Sequence, residues 1–406
     1  MRMCRPPVAP DVVVMSSDRN EPEILLTMCR LIVTPIVLLS LASTAALAQS
    51  GGFLVKLGTD TIAVEQFSRS AGQIHGLVVR RLPSTLVVRY KMTLNADGSI
   101  ASFEQSAGRS DGSTPPNVPP GGRMTFTADS VMREIQSGAP RTTLDAVAPK
   151  GTVPGIGLSW LSYQLQLEAA RRHGAAYTMS FVPTQQAPTK VDVRFIDPDS
   201  AEIVVQGFRM GFKMDANGRL VRSDGTLTTQ KFLIARDSDI DALSIARAWE
   251  VRDSNGGAIG VASPRDTARA TVDGADIVID YGRPAKRGRA IWGALVPYDT
   301  TWRFGANAAT QFRTSKDIDI GGTTVRAGFY TLWLYPTVER AWLIVNSQTG
   351  QWGTAYDSTK NVARIPLETI GSLETPEERF RIFIEGDSLK MLWDRSGYSV
   401  KLGRGT

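Results

Sequence analysis

Between residues 53 and 252 the apolar residues recur mainly at every second position, in short runs bounded by turn-forming residues. A period of two sends successive side chains to opposite faces of a sheet, so these runs predict antiparallel strands at 61–67, 74–80, 86–94, 177–182, 191–196 and 208–214. Asn95-Ala96-Asp97-Gly98 and Asp215-Ala216-Asn217-Gly218 are predicted hairpin turns in which Gly takes positive φ. Each follows a Lys-Met pair, Lys91-Met92 and Lys213-Met214, a pattern that fits either an internal duplication or two independent hairpins. Residues 111–122 hold too much Pro and Gly for regular structure and read as a long surface loop.

Two segments break the alternation. Residues 155–173 read as a helix with Leu158, Leu161, Leu165 and Ala169 on one face and Gly174 as its stop. A second helix is expected from about 240 to 250, with Ser238 or Asp239 as N-cap. Together these features predict a curved antiparallel sheet carrying one or two helices over residues 49–252.

Residues 253–266 are small, polar and glycine-rich, and read as a linker. Beyond them six of the eight tryptophans occur, namely Trp292, Trp302, Trp333, Trp342, Trp352 and Trp393. Strands are predicted at 275–281, 311–314, 328–335, 341–346, 379–384 and 388–393. That density, with almost no helical periodicity, predicts a jelly-roll-like β-sandwich over residues 267–406. The fold class is therefore mainly β.

At 406 residues, 42% hydrophobic and 21% charged, the chain has the composition of an ordinary globular protein with room for two cores. Residues 28–48 place Arg30 before an apolar stretch ending in Ala46-Leu47-Ala48, the pattern of a cleaved secretory signal. Pro35, Ser40, Ser43 and Thr44 interrupt the stretch and no basic stop-transfer flank follows, which favours cleavage near Gln49 over a membrane anchor. Residues 1–27 read as an extension preceding the true start. A periplasmic or secreted location without a stable membrane span is the expectation.

Both cysteines, Cys4 and Cys29, precede the expected cleavage point, so the exported part is expected to lack disulfides, thiolate nucleophiles and cysteine metal ligands. The net charge is +6, and the four arginines before Gln49 cancel against Asp11, Asp18, Glu21 and Glu23. The excess belongs to the exported part, and favours an anionic envelope partner over nucleic acid. A solvated basic surface explains the same charge.

Residues 281–310 concentrate Arg, Gly, Pro and Trp beyond what a sandwich core requires. The ordered segments Tyr281-Gly282-Arg283-Pro284, Lys286-Arg287-Gly288-Arg289, Ile291-Trp292-Gly293, Leu295-Val296-Pro297-Tyr298 and Trp302-Arg303-Phe304-Gly305-Ala306-Asn307 continue through Ala327-Gly328-Phe329-Tyr330-Thr331-Leu332 and Trp352-Gly353. In this series the chain from about 270 to 402 resembles the bacterial domain of unknown function (DUF) 2911 family. The resemblance implies an exported bacterial β-domain and no established activity.

Read for chemistry, Arg283 and Arg289 bracket a loop able to present several cations, and Arg donates in a planar fork suited to carboxylate, phosphate or sulfate. Trp302-Arg303 followed by Gly305-Ala306-Asn307 predicts a tight bend aiming Arg303 and Asn307 at one space. Trp292, Tyr298 and Trp352 are candidates for a platform under sugar rings. The candidate ligand set is thus Arg283, Arg289, Trp292, Tyr298, Arg303, Asn307 and Trp352. The competing assignment pairs Arg303 with a buried acid, caps a turn with Asn307 and packs the tryptophans in the core.

Catalytic signals are weak. His75 and His173 are the only histidines, and a His before Gly174 suits a helix C-terminus, so neither a metal centre nor a cofactor is expected. Residues 108–112 match GxSxG, but a Pro-rich loop follows where a nucleophile elbow requires a helix. Residues 237–241 begin like a calcium loop, yet Ala242 and Ala248 stand where Gly and Glu are required. Asp299, Asp357, Glu385 and Asp394 are the carboxylates that a saccharide or ester hydrolase would pair. The leading expectation is non-catalytic binding of a polar or anionic envelope ligand; a hydrolase and a structural scaffold are the alternatives.

Overall fold

The computed structural model describes residues 49–405 apart from 117, 119–120, 136–141, 182–184, 206–207 and 226–230. The expected signal, the extension before it and both cysteines lie outside the described residues. The chain forms two large sheets.

The first sheet begins in its own middle. Strand Gln49–Leu57 is followed by neighbours stepping outward to the edge strand Thr142–Val147, and the chain then restarts at the opposite edge with Thr152–Pro154. From there Ala176–Met179 and its successors return inward until Phe232–Arg236 pairs with Gln49–Leu57, Val55 opposite Ile234. The two edges are separated in sequence by residues 148–151 alone, a reach of about 17 Å. The sheet therefore curls until it is nearly closed. The parallel pair among its described strands, Thr152–Pro154 with Ala176–Met179, is joined by helix α1, Trp160–His173, the crossover that a parallel pair demands.

Helix α1 fills the hollow of the curl: Trp160, Leu161, Leu165 and Ala169 join Phe53, Phe67, Tyr90, Met92 and Phe103 in one core. Helix α2, Ala242–Arg252, packs on the other side of the same strands, where Ala242, Ala246 and Trp249 cover Val64, Val79 and Val87. Strands 60–69, 73–80 and 86–94 are thus covered on both faces, and their apolar residues are correspondingly dense.

Both helices start later than the sequence suggests. Leu158 has φ 64° and Gly155 N donates to Met179 O at 2.7 Å, so residues 155–158 form a turn. Ser159 caps α1 by accepting from Ser162 N, and Gly174, at φ 73°, ends it as expected. For α2 the cap is Asp241, accepting from Ser244 N at 3.0 Å and Ser244 Oγ at 2.6 Å, in place of Ser238 or Asp239. A further kinked turn, Asp253–Gly257, continues α2 into the segment read as a linker. Both expected hairpin turns form, with Gly98 and Gly218 at φ 77° and 74°.

The second sheet, Arg265–Val272 to Ser396–Arg404, has a sandwich-like, barrel-like path in which sequence neighbours mostly pair. Two hairpins depart from it: Ile318–Ile320 with Thr323–Val325, and Glu377–Glu385 with Ser388–Asp394, both docking on Ser396–Arg404. Its core is aromatic. Trp302 stacks on Trp393 at 5.9 Å and meets Phe380 edge-on at 5.3 Å, while Phe304 and Tyr281 also contact Phe380.

Candidate functional site

Strand Ala275–Gly282 and strand Thr310–Thr314 are joined by residues 283–309, which have almost no regular structure. The connection is nevertheless pinned across the core. Phe380 N donates to Pro284 O at 2.9 Å, Lys286 N to Glu378 O at 2.7 Å, and Trp302 exchanges backbone bonds with Leu334 at 2.7 and 2.8 Å. Arg287, Asp299, Phe304 and Asn307 all take positive φ, between 50° and 64°. A left-handed Phe is unusual and persists only where the surroundings dictate it. Here Thr310 Oγ1 donates to Phe304 O at 2.6 Å, and Gly282 lies so close to the Ala306 backbone that no Cβ fits. The bend 303–307 is therefore built in.

The cations of this connection are divided among separate partners. Arg283 donates to Asp266 Oδ2 at 3.1 Å and to Phe380 O at 3.3 Å. Lys286 reaches Asp394 at 2.5 Å, and Arg287 forms an ion pair with Asp60 of the first sheet. Arg289 folds back on its own loop, donating to Lys286 O at 2.9 Å and Ala285 O at 2.6 Å. The loop 283–289 thus does not present its charges as one group.

Among the described residues Arg303 makes neither the acid nor the carbonyl contacts that hold the others. No acid pairs with it among the described residues, its Nε is buried without a hydrogen-bond partner, and burial lowers its pKa. Lys231, at φ 58° just before strand Phe232–Arg236, lies within its field. Burial first, then Arg303 and Arg289, lower the Lys231 pKa, with Asp224 acting in the opposite sense. Lys231 comes from the first sheet, 72 residues earlier by number, and nothing local in the sequence signals the encounter.

Asn307 and Trp352 border Arg303. Gly353 N donates to Asn307 O at 2.9 Å, Ala308 bridges to Trp352, and Gly353 packs directly on the Arg303 side chain. Asn307 is exposed and Trp352 is 50% exposed. Trp292 and Tyr298 form a different group: Trp292 meets Tyr398 edge-on at 5.3 Å, and the Tyr298 ring lies against Gly293. No ring contact joins them to Trp352 among the described residues, so the three aromatics do not form one platform. The structure brings together Arg303, Asn307 and Trp352, and adds Lys231 and the more distant charge of Arg289.

The carboxylates do not assemble an acid–base pair. Asp357 caps the turn Ser358–Lys360, Glu385 holds Lys390 at 2.5 Å and Asp394 holds Lys286. Asp299 is exposed at a strained turn. Ser110 of the GxSxG match sits in a turn with no helix after it, and its Oγ donates to Glu250 Oε2 of α2 at 2.5 Å. Asp241 of the calcium-like run is the α2 cap, and no cluster of metal-ligating side chains occurs among the described residues. His173 ends α1 beside Arg171 and Arg172. No helix among the described residues is long and apolar enough to cross a membrane.

One buried acid escaped the sequence reading. Glu65 is fully buried: Oε1 accepts from Tyr90 Oη at 2.8 Å and Ser159 Oγ at 2.6 Å, and Oε2 from Trp160 N at 2.7 Å and Leu161 N at 3.0 Å. It anchors the start of α1. The signal was present, because alternation puts Glu65 on the same face as Ala63 and Phe67.

Among solved structures the chain is similar to a DUF1089 family protein from Pseudomonas aeruginosa, at 10% identity and a TM-score of 0.30, over 41% of this chain and 90% of that one. It is also similar to a beta-barrel-like protein of the domain of unknown function DUF1849 from Brucella abortus, at 12% identity and a TM-score of 0.28, over 47% and 93% of the two chains. No curated protein matches the chain. Residues 263–402 match the family described as protein of unknown function (DUF2911), and with the ordered motifs around the built-in bend this carboxy-terminal part of the chain belongs to that family.

Proposed function

We propose that the protein is an exported, two-domain binding protein whose DUF2911 part takes an anionic or polar envelope ligand at Arg303, with Lys231, Arg289, Asn307 and Trp352 around it. The supporting observation is the guanidinium of Arg303: partly buried, without an acid, and with a buried Nε lacking a partner. Leaving a desolvated cation uncompensated is costly, and a bound carboxylate, phosphate or sulfate oxygen removes the cost. Arg is suited to this because its fork satisfies two anion oxygens at once. The second cation, Lys231, strengthens attraction for an anion carrying more than one charge.

The test is a thermal-shift series on the full-length protein with phosphate, sulfate, citrate and polygalacturonate, repeated with Arg303→Met. At a ligand concentration of about 100 times Kd, binding adds about 2.7 kcal/mol, a readable rise in Tm. The expected result is a rise with at least one of these anions that Arg303→Met abolishes while the ligand-free Tm stays the same or increases. No rise with the unaltered protein, or full retention in the variant, overturns the reading.

A further inference from the structure

The first sheet holds a second candidate site, independent of Arg303. At the C-terminal end of α1 a cavity of about 380 Å³ opens between the helix, the hairpin turn at 95–100, the turn at 126–128 and the link 148–153. That size falls within the range of small-molecule sites. Its floor is part of the core: Ile100, Ala148, Val153, Leu165 and Ala169 are all at least nine-tenths buried. Its rim is polar, and of its titratable groups Lys150, Arg172 and His173 are basic while Asp97 is acidic.

The acidic members of this neighbourhood are already engaged. Asp97 accepts from Ser99 N at 2.8 Å and Ser99 Oγ at 2.6 Å, and Glu168, outside the lining, accepts from Arg69 and Arg172. Lys150 is exposed and forms no ion pair among the described residues. We propose that this cavity binds a monoanionic amphiphile, with an apolar body on the Ile100, Leu165 and Ala169 floor and a carboxylate-like head at Lys150, Arg172 and His173. An apolar body gains by withdrawing its own surface from water as it fills the cavity over this floor. A cationic head meets three bases and is disfavoured.

The chain supplies its own control, because it has two histidines: His173 lines the cavity, and His75 lies elsewhere on the sheet, bonded to Gln73. The imidazole NMR signals of the full-length protein are followed at constant pH, assigned by His173→Gln, during titration with decanoate, decyltrimethylammonium and acetate. Decanoate is expected to move the His173 signal saturably and leave His75 in place, while the other two leave both. Ala169→Phe, which fills the floor, is expected to weaken decanoate binding at least about tenfold. If decanoate moves neither signal or both, or if acetate or the cation moves His173 as strongly, the proposal is overturned. Should Ala169→Phe fail to fold, the comparison of the two histidines in the unaltered protein still decides.

Discussion

Asp60 and Arg287, 227 residues apart, form an ion pair that ties the first hairpin of one sheet to the irregular connection of the other. The contact is broader than the two charges. Thr59 N donates to Arg287 O at 3.0 Å, and Gly58, at φ 63°, leaves no room for a Cβ beside that carbonyl. Arg81, nearly buried, adds a like charge, with Asp253 and Asp60 opposing it.

Arg287→Met is therefore expected to destabilise the protein by about 1–3 kcal/mol, below the range for fully buried pairs because Asp60 can regain water. Urea unfolding measures this. In a double-mutant cycle Asp60→Asn and Arg287→Met should be non-additive by at least about 0.5 kcal/mol. Strict additivity would show that the pair carries no energy of its own.

Glu65 gives a prediction about pH. Burial outweighs its four hydrogen bonds and raises its pKa above 4.5. The folded protein then holds this proton more tightly than the unfolded chain, so its contribution is fully present below the unfolded value and is lost as pH rises through the folded one. Glu65→Gln removes that slope. Its carbonyl still accepts from Trp160 N and Leu161 N, and its amide faces the hydroxyls of Tyr90 and Ser159, so the cost at neutral pH should be about 1 kcal/mol or less. Glu65→Ala orphans both backbone donors and should cost about 3 kcal/mol. Urea midpoints measured from pH 4 upward test both statements; a wild-type protein that gains stability relative to Glu65→Gln over that range contradicts the first.

Gly76 pairs across the ladder with Tyr90, and a Cβ there would collide with the end of the Tyr90 ring. Gly76→Ala should displace the hydroxyl from Glu65 and destabilise by about 1–3 kcal/mol, as expected when a buried acceptor loses a donor. Tyr90→Phe removes the same hydroxyl without crowding, so the two variants together should be less than additive.

The strands at 60–69, 73–80 and 86–94 were legible because alternation marks a face that meets the core, and the turns at 95–98 and 215–218 because Gly was required there. Alternation did not mark Gln49–Leu57, whose first buried positions are the glycines Gly51 and Gly52 and carry no apolar signal, nor two strands with few buried residues. Arg265–Val272 buries only Val272, and Asn361–Ile370 only Ile365, so backbone pairing with neighbours holds them in place and no apolar alternation marks them. Helix α1 was overextended because Leu158 fits the apolar spacing while its backbone is left-handed. At the candidate site the bend at 303–307 was legible as Trp, Arg, Gly and Asn in sequence. The meeting of Arg303 with Lys231, and of Arg287 with Asp60, depends on how two sheets dock, which no local pattern encodes.

Gly353 packs against both Arg303 and Asn307. A Cβ there would run into Arg303 Cδ and approach within 2.5 Å of Asn307 O, the acceptor of the Gly353 amide. One of these contacts is backbone, so side-chain rotation alone does not relieve the crowding. Gly353→Ala should force the turn at 352–353 and the bend apart, lower the ligand-free Tm by several degrees, and, like Arg303→Met, abolish any anion-dependent rise. Arg303→Met alone should leave the ligand-free Tm unchanged or higher, since it removes a desolvated charge without an acid partner. The two variants thus separate shape from charge. If Gly353→Ala keeps both its stability and its response to anions, the bend is not what positions Arg303.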